Sequence, residues 1–171
     1  MRGFFCRSIS AVILVSLILL ASCTSSASTA EEIFADVFEK CDSEGDIPDG
    51  VLYLSGSSEG KDSYLSESMV GVLYGSSAWE EIFPLAEDYA IYLSSFAVPF
   101  ELAVFRCYSK SDTDTVGAMC LARGDGIKAL INIGEFGEST RVKVMIKGRY
   151  VAMYVGTDPD VAERAFMESA G

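Results

Sequence analysis

Histidine is missing from all 171 residues. Imidazole-based catalytic triads, imidazole acid-base chemistry and histidine-ligated metal sites are therefore excluded. No glycine-rich phosphate loop and no zinc-type cysteine spacing occurs either, so no cofactor or metal is expected. Basic charge is scarce: 13 Lys and Arg stand against 25 Asp and Glu, a formal charge of −12. Such a surface repels nucleic acid and anionic headgroups alike, and nucleic acid is not expected as a partner. The apolar run Ile9 to Leu20 also falls short of the roughly 20 residues that a membrane-spanning helix needs.

That run fits a secretory signal instead. Arg2 and Arg7 precede it with no acid, only Ser10, Ala11 and Ser16 interrupt it, and small residues follow. The sequence Leu20-Ala21-Ser22-Cys23 resembles the bacterial lipobox, a branched apolar residue and two small ones before a cysteine. The resemblance implies that the Cys23 thiol receives a diacylglyceryl group and that the chain is cut before it; the alternative is a secreted chain with a spare thiol. Residues 1–22 are then a lipoprotein signal peptide, 23–30 the lipidated cysteine and a flexible linker of small polar residues, and 31–171 a single domain. Cleavage removes Arg2 and Arg7 and takes the charge to −14. The expected address is the extracytoplasmic face of the cell membrane, with the bilayer as first partner through lipid on Cys23. Acyl chains contribute about 0.8 kcal/mol per buried methylene, so dissociation is rare.

Periodicity within 31–171 predicts an α+β domain of order ααα-ββ-α-ββ-α, with a mostly antiparallel sheet of about four strands in two hairpins and helices packed on it. Thr29 and Glu32 form a capping-box pattern ahead of Ile33, Val37 and Cys41, so a helix spans 30–41. Val51 to Leu54 fits a helical turn or a short strand. Leu65, Met69 and Leu73 give a second helix ending at Gly75, and Ser77 caps a third through Phe83. Tyr89 to Leu93 and Phe100 to Tyr108 read as one hairpin. Val142 to Ile146 and Tyr150 to Val155, turning at Lys147-Gly148, read as another. Between them a helix opens at Ser111 or Asp112 and is kinked or split at Gly124-Asp125-Gly126. Asp158 caps the last helix with Pro159 at its first position.

The run from Tyr74-Gly75 through Asp88-Tyr89-Ala90-Ile91-Tyr92 and Glu101-Leu102-Ala103-Val104-Phe105 to Gly148-Arg149-Tyr150-Val151 and the Ala162-Phe166 helix resembles a family of small bacterial lipoproteins. That family is catalogued as domain of unknown function 4358. The resemblance implies fold and address, together with a basic residue after the second strand and an arginine late in the central helix, here Arg106 and Arg123. It implies no activity.

Candidate chemistry is sparse. Arg141, Lys143 and Lys147 alternate with Val142, Val144 and Ile146 and so share one face of a strand. They read as an anion-binding stripe, or as a solvated face, or as one neutralised by the acidic segment that places eleven acids against Lys40 and Lys61 over residues 31–67. Ser58-x-x-Lys61 resembles penicillin-recognising serine enzymes in two letters only. Asp42, Glu44 and Asp46 match the first calcium-loop spacings, but Ile47 stands where Gly is needed. Arg123-Gly124-Asp125 matches an integrin-binding tripeptide. Glu101, Glu135 and Glu138 are carboxylates that a fold could pair. With Cys6 in the signal and Cys23 lipidated, Cys41, Cys107 and Cys120 remain; one bridge or three buried thiols are both open.

The expected role is thus a membrane-anchored, non-catalytic binding or accessory lipoprotein with a protein or small-ligand partner. The alternatives are a small envelope hydrolase using carboxylates, or an assembly factor docking through the acidic helix 30–41. Because acylation needs the thiol, Cys23→Ser is expected to abolish incorporation of a fatty-acid analogue in cells. Equal label on wild type and variant would end the lipoprotein reading.

Overall fold

The computed structural model describes residues 27–44, 47–94, 99–132 and 139–171. Cys23 and the signal segment, Asp46, Glu135 and Glu138 lie outside the described residues.

Helix α1 (Ala30–Glu44) begins where the sequence supplies a reciprocal cap. The Thr29 amide donates to Glu32 Oε2 at 2.8 Å, and the Glu32 amide donates to Thr29 Oγ1 at 3.1 Å. Ile33, Phe34, Val37 and Cys41 fall on one side and are buried. Residues 50 to 54 form a strand, β1 (Gly50–Leu54). Its side chains split by parity, Leu52 and Leu54 packing to one face of the sheet and Tyr53 to the other. Helix α2 (Glu67–Tyr74) is capped by Ser66, whose hydroxyl accepts from the Met69 amide, and stops at Gly75 with φ of 106°. The single turn α3 (Ala78–Glu81) has no side-chain cap from Ser77, and a 3-10 turn over Phe83–Leu85 follows it.

Strands β2 (Ala86–Ser94) and β3 (Glu101–Cys107) form the first expected hairpin. Helix α4 (Thr113–Asn132) starts within two residues of the predicted Ser111 or Asp112 and is preceded by a 3-10 turn (Lys110–Asp112) that Ser109 and Asp112 cap reciprocally. It also runs unbroken through Gly124 and Gly126, where a kink or split is expected. The reason is close approach: a Cβ on Gly124 would stand 2.6 Å from Val142 Cγ1, so the glycine lets the helix lie against the next strand. Strands β4 (Arg141–Lys147) and β5 (Tyr150–Gly156) turn at Gly148, whose φ of 60° suits glycine. Helix α5 (Pro159–Ser169) is capped by Asp158, which accepts from the Val161 amide.

Among the described residues the five strands form one antiparallel sheet of order β1-β2-β3-β5-β4. The domain is α+β; β1 adds an edge strand to the two hairpins, and the element order is α-β-αα-ββ-α-ββ-α. Helices cover both faces. Leu102 and Val104 of β3 meet the core under α1 and α5, while Ala103, Phe105 and Cys107 meet the core under α2, α3 and α4. Residues 27–30, expected within a linker, are built into the domain: Ala30 is fully buried and its amide donates to Asp88 Oδ1 at 2.7 Å.

Cys107 and Cys120 are thiols in the α4 core, whereas Cys41 lies in the opposite one. Burial pushes the Cys107 thiol up to about 11 and lifts Cys120 further, with the Glu101 charge adding to the rise. Burial likewise raises the Tyr74, Tyr89 and Tyr154 hydroxyls. A folded pKa above the unfolded one contributes stability that is complete below the unfolded value and is lost as pH rises through the folded value. Stability should hold level to about pH 8.5, the unperturbed thiol value, and fall above it. Urea melts from about pH 7 to pH 10 measure this; a flat profile would mean that the thiols ionise in the folded state without penalty.

Candidate functional site

The first residue of β3 is the anomaly from which the site is built. Glu101 opens a strand that is otherwise apolar up to Arg106, and it is only 3% exposed. A carboxylate so placed needs charge and hydrogen-bond partners. Arg123, on α4, supplies Nε at 3.2 Å and Nη2 at 2.9 Å to Glu101 Oε2. Tyr74, the last residue of α2, donates its hydroxyl to Oε1 at 3.0 Å. Burial first, and the Glu101 charge second, hold the Tyr74 hydroxyl well above its ordinary value, so it stays a donor. Three elements are thereby tied at one end of the central strand.

Above this ion pair lies a groove of about 710 Å³ between α2, α4 and the β1 edge of the sheet. Met69, Val72 and Leu73 come from α2, Ile127 and Leu130 from α4, and Val51 and Tyr53 from β1. Glu101 and Arg123 also line it, with Asp49, Ser68 and Ser94 as further polar residues. Val51, Val72 (84% exposed) and Leu130 are exposed large hydrophobics that gather at this one place. Such clustering marks an interaction site, since scattered apolar side chains are ordinary surface. The volume falls within the range of small-molecule pockets, about 300–1,000 Å³. Nη1 of Arg123 has no hydrogen-bond partner among the described residues, leaving donors for a ligand.

The predicted stripe is used internally. Lys143 Nζ reaches Asp160 Oδ1 at 3.4 Å and also meets Glu163, and the hydrogen bond to Glu163 is the main cause of its raised pKa. Lys147 Nζ donates to the Met167 carbonyl, and Arg141 Nη1 donates to the Thr140 carbonyl at 3.0 Å. The acids facing Lys143 thus come from α5 and not from the amino-terminal acidic segment.

Other sequence candidates do not converge. Asp42 and Glu44 sit in the last turn of α1, with a helical backbone and not a calcium loop. Ser58 and Lys61 lie in a turn outside any helix. The Arg123-Gly124-Asp125 tripeptide is inside α4, with Arg123 held by Glu101 and Asp125 paired to Lys128 at 3.1 Å. The two residues implied by the family resemblance, Arg106 and Arg123, each form ion pairs, near opposite ends of β3.

Comparison with known proteins adds nothing to this geometry. No family model, curated protein or solved structure matches the chain. The groove was not legible in sequence because its lining comes from segments as far apart in the chain as Asp49 and Val155. One signal was available: an isolated acid heading a buried strand demands a cation, and α4 offers two, Arg123 and Lys128.

Removing Arg123 leaves the Glu101 carboxylate buried with Tyr74 alone. Because Arg123 is partly exposed, Arg123→Met should cost near the lower end of the range for a broken buried pair, about 3 kcal/mol. Adding Glu101→Leu to it should restore most of the loss. Urea denaturation measures both; a loss under about 1 kcal/mol would show that water already solvates the pair.

Proposed function

We propose that this protein is a lipid-anchored, extracytoplasmic binding protein that holds a small, largely apolar ligand in the groove between α2 and α4 and does not transform it. The amino-terminal signal pattern and Cys23 support the address. The observation that carries the binding role is the apolar groove floored by a satisfied ion pair.

The ion pair favours binding over hydrolysis by carboxylates. Glu101 and Asp49 both line the groove, but both oxygens of Glu101 are engaged, one by Arg123 and one by Tyr74. Asp49 is exposed at the rim. A general base needs an oxygen within hydrogen-bond reach of the substrate proton, and both oxygens here are already committed to donors of the protein. The pair is also neutral as a unit. It suits a ligand with an apolar body and an uncharged acceptor, such as a carbonyl, placed against the remaining N–H groups of Arg123.

The test uses N-phenyl-1-naphthylamine, a neutral apolar fluorophore, and the purified mature protein. Saturable one-to-one binding is expected. Val72→Asp with Leu130→Asp should weaken it about tenfold or more, since each lost apolar contact contributes on the order of 1 kcal/mol. Circular dichroism should stay unchanged. Absence of saturable binding, or equal binding by the double variant, would overturn the assignment of the groove.

A further inference from the structure

We infer that the domain rests on the membrane by its Arg106 end, with the groove directed away from the bilayer, so that its ligand arrives from the aqueous side. The inference rests on the lipid anchor at Cys23 proposed above and adds the orientation.

Residues 27–30 are fixed by three neighbouring strands. Arg106 Nη1, on β3, donates to the carbonyls of Ala27 at 3.3 Å and Ser28 at 3.5 Å. The Tyr150 hydroxyl, on β5, donates to the Ser28 carbonyl at 2.7 Å, and Asp88, on β2, accepts from the Ala30 amide. The clamp is itself held: Arg106 is ion-paired to Asp88 and, at 3.2 Å, to Glu87, which also meets Arg149 at 3.3 Å. Asp88, Arg106 and Tyr150 stand side by side in the sheet register.

The reach of the anchor follows from chain geometry. Four peptide steps separate Cys23 from Ala27, and even fully extended they span at most about 14 Å. Five steps along β3 separate Arg106 from Glu101, about 17 Å of strand. Leu93, Glu101 and Val155 mark that far end and all line the groove. Acyl chains at Cys23 therefore keep the clamp end at the interface and the groove beyond it.

The clamp end also carries Tyr108, 62% exposed, whose carbonyl accepts from Arg149. An exposed tyrosine suits the headgroup layer, with its ring among apolar atoms and its hydroxyl in water. Of the acids there, Glu87 and Asp88 are met by the two arginines, Asp112 by Ser109 and Glu32 by Thr29, while Glu31 and Asp114 are exposed. The tether, and not charge attraction, sets the orientation.

The test places a bimane fluorophore at Tyr108→Cys or at Val72→Cys in the full-length protein, processed in cells, purified and reconstituted in phosphatidylcholine vesicles containing headgroup-nitroxide lipid. Quenching at 108 should exceed that at 72 by about threefold or more, given the strand length between the two ends. A spacer of about twelve residues inserted before Ala27 leaves the fold untouched and should bring the two positions close to equal, because it roughly quadruples the reach. Tyr150→Phe, which removes one clamp bond, should narrow the difference partway. Equal quenching in acylated protein without the spacer, or stronger quenching at 72, would overturn the orientation while leaving the anchor intact. Absence of acyl label on the same protein would overturn both.

Discussion

The central strand β3 is covered by helices on both faces, and it carries a carboxylate at its first position and a guanidinium at its sixth. Neither charge has bulk water to itself, so each must be met by groups from elsewhere in the chain. At Glu101 that requirement draws in α2 through Tyr74 and α4 through Arg123. At Arg106 it draws in the start of β2 through Glu87 and Asp88, and the backbone ahead of α1. The position of the groove and the position of residues 27–30 both follow from the ends of this one strand.

Satisfaction differs at the two ends. Both oxygens of Glu101 have donors, whereas Arg106 Nε is buried without a hydrogen-bond partner among the described residues. An orphaned donor of this kind costs about 1–3 kcal/mol. Four other contacts of the same guanidinium, two ionic and two to carbonyls, offset it. The arrangement favours a fixed segment 27–30 over a minimal count of buried polar atoms.

Much of the fold was legible in the sequence, and the reasons are local. The Thr29–Glu32 box, the turn at Gly148 and the Asp158-Pro159 start of α5 are written in neighbouring residues and appear as predicted. Gly124 misled because helix propensity prices a glycine by its own backbone, whereas here its missing Cβ makes room for Val142. Residues 27–30 misled because their small polar composition matches a linker, while their hydrogen bonds go to residues far along the chain. Of the site, Glu101 was visible as a carboxylate, and Arg123 through family resemblance and an Arg-Gly-Asp tripeptide, neither of which points to Glu101. Their pairing depends on how α4 folds back across the sheet, which periodicity does not encode. The Arg141, Lys143 and Lys147 alternation was legible as a face, but the identity of what covers it depends on where α5 lands.

The bond from Tyr150 to the Ser28 carbonyl spans 122 residues of sequence. A chain made from its amino terminus presents Ser28 early and Tyr150 late, so this contact has no partner until nearly the whole domain has been made. Closing so long a loop adds to the entropic barrier of folding. Residues 27–30 therefore take their last hydrogen bond only once the final hairpin is in place, and the closure of that contact reports that the domain behind it is complete.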